Sequence, residues 1–245
     1  MKTFETVSGA LEMDYAGVCC PCNDAPATFI EKQSCSQGNV VFAIGDAGVH
    51  GDPLPALCVR HYLRRGSPDK STHPVMAAES INQLIYDCCA ASSSLSCFYA
   101  EYARDTRTLR YVNAGHDAPL LVRENPYQVL RLDEGGPVFG LRESPHYSEG
   151  VVALKKGDRL VAFTQGVIDS LASHNGGAES ALVSLARSRM NTSAFQLAQR
   201  IVAECESTRS GRRMEKSVLV ACFAYNEIEC PLELRCITSA CITSE

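Results

Sequence analysis

Three short loops gather residue types that can handle cations, protons and phosphate oxygens. The first is Gly45-Asp46-Ala47-Gly48-Val49-His50-Gly51-Asp52-Pro53, directly after the apolar run Val40-Val41-Phe42-Ala43-Ile44. A carboxylate just past a buried strand, among glycines that let the backbone approach closely, suits a hard-cation ligand. The same residues also suit a plain turn before a helix, with Asp46 as its cap. The second loop is Val112-Asn113-Ala114-Gly115-His116-Asp117-Ala118-Pro119. His116 could serve catalysis, although Asn-Ala-Gly-His is equally good hairpin chemistry. The third is Phe163-Thr164-Gln165-Gly166-Val167-Ile168-Asp169, again a strand running into a glycine turn.

The elements that must position these loops can be read from periodicity. Residues 40–44 read as a buried strand, and Pro53 suits the first turn of a helix in which Leu54, Leu57, Cys58 and Tyr62 recur at helical spacing. Ser71 or Thr72 can cap a second helix with Ile81, Leu84, Ile85 and Cys88 on one face. From residue 96 to 164 the signal changes to short strands about ten residues apart, separated by Gly, Pro, Asn and Asp, which suits antiparallel meanders. Helical periodicity returns at 182–185 and at 194–205, the latter capped by Thr192 or Ser193, and 218–223 reads as a closing strand. This order predicts an α+β domain spanning 1–225, an antiparallel sheet covered by helices, followed by a poorly ordered tail at 226–245.

Composition narrows the function classes. The 245 residues carry 23 Lys+Arg against 28 Asp+Glu, a net charge of −5. No basic excess exists to displace counterions from a phosphate backbone, so nucleic-acid binding is not expected. Uncharged stretches such as 88–100 are too short and too polar for a bilayer span, and no signal-peptide core opens the chain; a cytoplasmic protein without a membrane anchor is expected. Thirteen cysteines are an odd count for a disulfide framework, and most sit in apolar runs where a thiol acts as a small hydrophobe. Cys19, Cys20 and Cys22 are the one cluster where zinc is conceivable, but no second pair at the usual spacing completes four ligands.

The order and spacing of the three loops resemble the metal-dependent PPM protein serine/threonine phosphatases, in their bacterial SpoIIE-like branch. The likeness is densest in Leu109-Arg110-Tyr111-Val112-Asn113-Ala114-Gly115-His116, Gly135-Gly136-Pro137-Val138-Phe139-Gly140-Leu141 and Lys156-Gly157-Asp158-Arg159-Leu160. It implies a four-layer α-β-β-α sandwich of two stacked, mainly antiparallel sheets flanked by helices. It also implies one or two Mn²⁺ or Mg²⁺ ions whose bound water attacks phosphoserine or phosphothreonine. The expected partner is a phosphorylated signalling protein, such as an anti-sigma-factor antagonist in a partner-switching circuit.

Carried over residue by residue, the resemblance implies that Asp46 acts through metal-bound water, with Ala47 beside it, and that Asn113, Gly115 and His116 hold the hairpin. The remaining ligand positions are altered. Thr28 and Glu31 replace two aspartates upstream, Gln165 replaces one in the third loop, and Glu215 and Lys216 stand where a pair is usual. Asp46, Glu31, Gln165 and Glu215 are the expected oxygen donors, with Lys216 opposing any cation. Asp117 and Asp169 read as turn and cap residues, and Asp52 as a helix cap. Two functions follow as expectations: a phosphatase with a weakened metal site, or a pseudophosphatase that binds a regulatory partner without hydrolysis.

Overall fold

Most central strands are buried along nearly their whole length, and their successive side chains, turned to opposite faces, decide the layering. In the computed structural model, residues 2–5, 13–20, 28–35, 38–47, 52–65, 73–90, 93–188, 192–207 and 216–223 are described, the side chains of 2–5 and of Lys216 excepted. The strands are β1 (Lys2–Glu5), β2 (Asp14–Cys20), β3 (Thr28–Ser34), β4 (Val40–Asp46), β5 (Ser96–Ala103), β6 (Thr108–Ala114), β7 (Leu120–Glu124), β8 (Tyr127–Arg131), β9 (Gly135–Gly136), β10 (Gly150–Ala153), β11 (Arg159–Phe163) and β12 (Lys216–Cys222). The helices are α1 (Leu54–Arg65), α2 (Pro74–Cys88), α3 (Gln165–Leu171), α4 (Gly177–Arg187) and α5 (Ala194–Ser207).

One sheet has the order β1-β2-β12-β11-β7-β8 and the other β10-β6-β5-β4-β3, with β9 pairing parallel to β6 at the side. Every other pairing is antiparallel. Three apolar clusters define four layers. Ile30, Phe42, Ile44, Phe98, Leu121, Leu160 and Leu219 fill the space between the sheets. Val18, Val161, Val218 and Val220 face α3, α4 and α5 through Val167, Leu182 and Ile201. Phe29, Val41, Ala43 and Tyr99 face α1 and α2 through Val59, Ala77, Ile81 and Ile85. The expected α-β-β-α sandwich is therefore the observed fold.

Local signals explain several boundaries. Ser193 Oγ accepts the Gln196 N–H at 3.2 Å while Gln196 Oε1 accepts the Ser193 N–H at 3.2 Å, a reciprocal cap that starts α5. The Ser71 or Thr72 cap expected for the second helix lies outside the described residues; α2 has His73 at its N-cap and opens on Pro74. Two differences matter for the site. Strands β2 and β3 precede β4, in a part of the chain where periodicity predicts no element. The third loop is the start of α3, not an open turn, because Thr164 leaves the strand in extended geometry and Gln165 opens the helix. The tail 226–245 lies outside the described residues.

Candidate active site

Strand parity places a row of polar side chains at one end of the inter-sheet space. Asp46 is in register with Thr28 on one side and Ser96 on the other, two residues beyond Ile44, which faces the opposite sheet. Ser96 Oγ donates to the Asp46 carbonyl at 3.0 Å. From the facing sheet, Ser217 Oγ donates to Thr28 Oγ1 at 2.9 Å, and the Ser217 N–H donates to Thr164 Oγ1 at 3.0 Å. Thr28 and Ser217 are buried, so this hydroxyl pair bridges the sheets beneath the site.

Above that row lies a cleft of about 290 Å³ lined by Asp46, Ala47, Ser94, Ser96, Gly115, His116, Asp117, Val138 and Gln165. The three loops of the sequence thus converge, although they are far apart in the chain. The expected hairpin at 113–116 is instead a turn between the sheets, because β6 and β7 belong to different sheets and do not pair; Gly115 makes this turn possible at φ +65°, where a Cβ would also stand 2.5 Å from Val138 Cγ1. Asn113 fixes the turn from below: its Oδ1 accepts the His116 N–H at 2.7 Å and its Nδ2 donates to the Leu132 carbonyl at 3.1 Å.

His116 is buried at 7% exposure. Its Nδ1 lies 2.9 Å from the Asp117 carbonyl, and a carbonyl can only accept, so Nδ1 carries the proton. Nε2 then presents a lone pair, and it is buried with no hydrogen-bond partner. Burial pushes the imidazole down to about 4, only partly offset by that carbonyl contact, so the ring is neutral in ordinary solution.

Asp117, expected as a turn residue, lies in the cleft beside the other carboxylates. Its acidity is weakened first by burial and then by the charges of Asp46 and Asp169, with Arg131 acting in the opposite direction. Asp169 is held one helical turn beyond Gln165, whose Nε2 donates to it at 2.8 Å. The Gln165 amide oxygen is the atom with which that side chain could ligate a cation. The signal that could have found Asp117 and Asp169 is their place one or four residues from loop positions already singled out.

Glu31 is not in this cluster. It shares the parity of Phe29, so it projects from the helix-covered face of β3, where its carboxylate pairs with Arg60 at 2.8 Å and Arg64 at 3.7 Å. It lies three positions after Thr28, and a strand turns successive side chains to opposite faces. Glu215 lies outside the described residues, as does Cys22. Cys19 and Cys20 pack against different clusters on opposite faces of β2, so these two neighbours cannot chelate one zinc ion together. Asp52 caps α1, accepting the Leu54 N–H at 2.9 Å and the Ser93 hydroxyl at 3.0 Å. Among the described residues, no three His, Cys, Asp or Glu side chains converge closely enough to hold a metal ion.

The sequence profile of the family described as Stage II sporulation protein E (SpoIIE) matches residues 36–221. The chain belongs to the SpoIIE family. Phosphoserine phosphatase RsbU of Bacillus subtilis (strain 168) is 29% identical over 129 residues, a stretch covering 51% of this chain and 38% of that protein. The chain therefore matches well under half of that relative's length. The PP2C phosphatase domain of SpoIIE from Bacillus subtilis, solved with a fragment of its regulatory domain, superposes with a TM-score of 0.69 at 13% identity, covering 87% of this chain and 64% of that one. The catalytic domain of the serine/threonine protein phosphatase PstP, solved with two manganese ions, superposes with a TM-score of 0.66 at 13% identity, covering 86% of this chain and 98% of that one. These likenesses establish a PP2C-like fold for the family member described above. No helix among the described residues is long and apolar enough to cross a membrane.

Proposed function

We propose that this chain is a SpoIIE-type serine/threonine phosphatase domain that acts slowly on a phosphorylated signalling protein, because its cation site is depleted. One observation carries the reading. Asp46, Asp117 and Gln165 line a single open cleft at the end of the sandwich, with a neutral imidazole at its wall.

The oxygen donors fit one hard cation better than two. Asp46 and Asp117 offer carboxylates, Gln165 an amide oxygen and Ala47 a main-chain carbonyl, whereas Thr28 offers only a hydroxyl already paired with Ser217. A bound Mn²⁺ or Mg²⁺ would supply positive charge for the phosphoryl oxygens and acidify a water molecule. The chain's own residues would do the rest. The Asn113 clamp fixes the turn between β6 and β7, the Ser217–Thr28 pair ties the two sheets below Asp46, and His116 stays unprotonated at Nε2. The partner class, a phosphoprotein such as an anti-sigma-factor antagonist, is proposed by likeness to the phosphoserine phosphatase relative. A cytoplasmic location is part of the same proposal.

A second reading is favoured by the lack of three converging metal-ligand side chains among the described residues. In it the cleft binds a phosphoprotein without hydrolysing it. Calorimetric titration with Mn²⁺, together with hydrolysis of p-nitrophenyl phosphate and a phosphoserine peptide, separates the two. Slow turnover that depends on Mn²⁺, raised by Gln165→Asp together with Lys216→Asp, supports the phosphatase. If the double variant neither binds Mn²⁺ nor turns over substrate, the binding reading replaces it. Turnover on the order of 1–10 s⁻¹ by the natural chain would refute the depleted site itself.

A further inference from the structure

Cys58 and Cys89 face each other where α1 meets the end of α2, with their sulfurs 4.0 Å apart. Both are partly buried against the cluster beneath the two helices. Of the other described cysteines, Cys97, Cys205 and Cys222 are core residues, Cys88, on the last turn of α2, is exposed, and Cys19, Cys20 and Cys35 are half-buried on β2 and at the end of β3. We propose that Cys58 and Cys89 form an oxidation-sensitive thiol pair that closes to a disulfide by exchange with a low-molecular-weight disulfide such as oxidised glutathione.

Geometry supports closure. A disulfide needs its sulfurs at about 2.0 Å, so the pair must approach by about 2 Å, within reach of rotation about the Cα–Cβ bonds. Cys89 stands just past the last helical residue in extended geometry at φ −107° and ψ 165°, with its N–H donating to the Ile85 carbonyl, so its backbone is not part of the helical ladder beyond that bond. The reduced pair is well kept in its protonated form. Burial first, then the neighbouring Cys58 thiol, pushes Cys89 up to about 12, and burial likewise raises Cys58. Exchange is accordingly slow, which suits a response to sustained oxidation better than a reactive nucleophile.

The chemistry balances. One glutathione disulfide bond breaks and one Cys58–Cys89 bond forms. The protein loses two electrons and two protons, which leave as two glutathione thiols. The new bond would join α1 to the start of the segment that feeds the cleft. That segment runs through Ser93, clamped to Asp52 at the head of α1, into Ser94 and Ser96 of the cleft wall.

The test is non-reducing peptide mapping of the full chain after incubation with oxidised glutathione. The expected product links the peptides of Cys58 and Cys89, in the natural chain and in Cys88→Ser alike. The expected consequences are an upward shift of the urea midpoint, as for any cross-link closing a loop of this size, and slower amide exchange over residues 86–96. Both should vanish in Cys58→Ser and in Cys89→Ser. Glutathione retained as a mixed disulfide on either residue would overturn the pairing. So would a link to Cys88 instead, or a folded chain left unlinked under conditions that oxidise the urea-unfolded chain. If a serine variant fails to fold, the map of the natural chain still decides.

Discussion

Acidification should unfold this domain through His116 by a calculable amount. The imidazole is buried with its Nδ1–H committed to the Asp117 carbonyl and its Nε2 enclosed, and its pKa falls from the usual 6.5 to about 4. A depressed value means that the unfolded chain takes up the proton first. The stability contributed by the neutral ring is complete above pH 6.5 and drains away as pH falls towards 4. Integrating between those two values gives a loss of about 2 kcal/mol from pH 7 to pH 4.5, on top of whatever the carboxylates contribute. The carboxylate part cancels in a comparison with His116→Gln, whose amide can still donate to the Asp117 carbonyl but cannot titrate. Urea unfolding of both proteins, in the presence of a chelator at pH 7, 6, 5 and 4.5, supplies the comparison. The natural chain should lose about 2 kcal/mol relative to the variant over that range, with most of the change below pH 6. Parallel pH profiles would refute the assignment, because a ring that remains solvated, or carries its proton at neutral pH, produces no such divergence.

Three further outcomes follow from the same contacts. Glu31→Gln should leave Mn²⁺ affinity by calorimetry unchanged and cost less than about 1 kcal/mol in urea, since its partners Arg60 and Arg64 are 31% and 74% exposed. Asp158→Asn should cost about 3 kcal/mol by the same measurement, because it removes the countercharge that Arg123 meets at 2.9 Å and 2.7 Å in a buried setting. Gly135→Ala should lose the folded state or at least about 3 kcal/mol of it, judged by circular dichroism and urea unfolding, because the added carbon would stand 1.9 Å from the Asn113 carbonyl oxygen in a strand pair that cannot yield.

Local signals in the chain were enough to announce the buried strand ending at Asp46, the turn at Asn113–His116 (though not its passage between the sheets, where a hairpin was expected) and the capped helix that starts at residue 194. Each of these depends on neighbours in sequence: an apolar run, a glycine at positive φ, a serine and glutamine three apart. The family likeness likewise follows order and spacing, and the sandwich is implied by them. Which carboxylates share a space was a different matter. Glu31 and Asp46 look like partners along the chain, yet strand parity turns Glu31 to the α1 side, where two arginines hold it. Asp117 and Asp169 look like turn and cap residues, yet closure of the two sheets brings their charges to bear on one another and on Asp46. Sequence separation has no bearing on such meetings. They are set by the register between β3, β4 and β5 and by the packing of one sheet on the other, which only the assembled fold possesses. The Cys58–Cys89 approach is of the same kind, a contact between two helices created by the sheet they both cover.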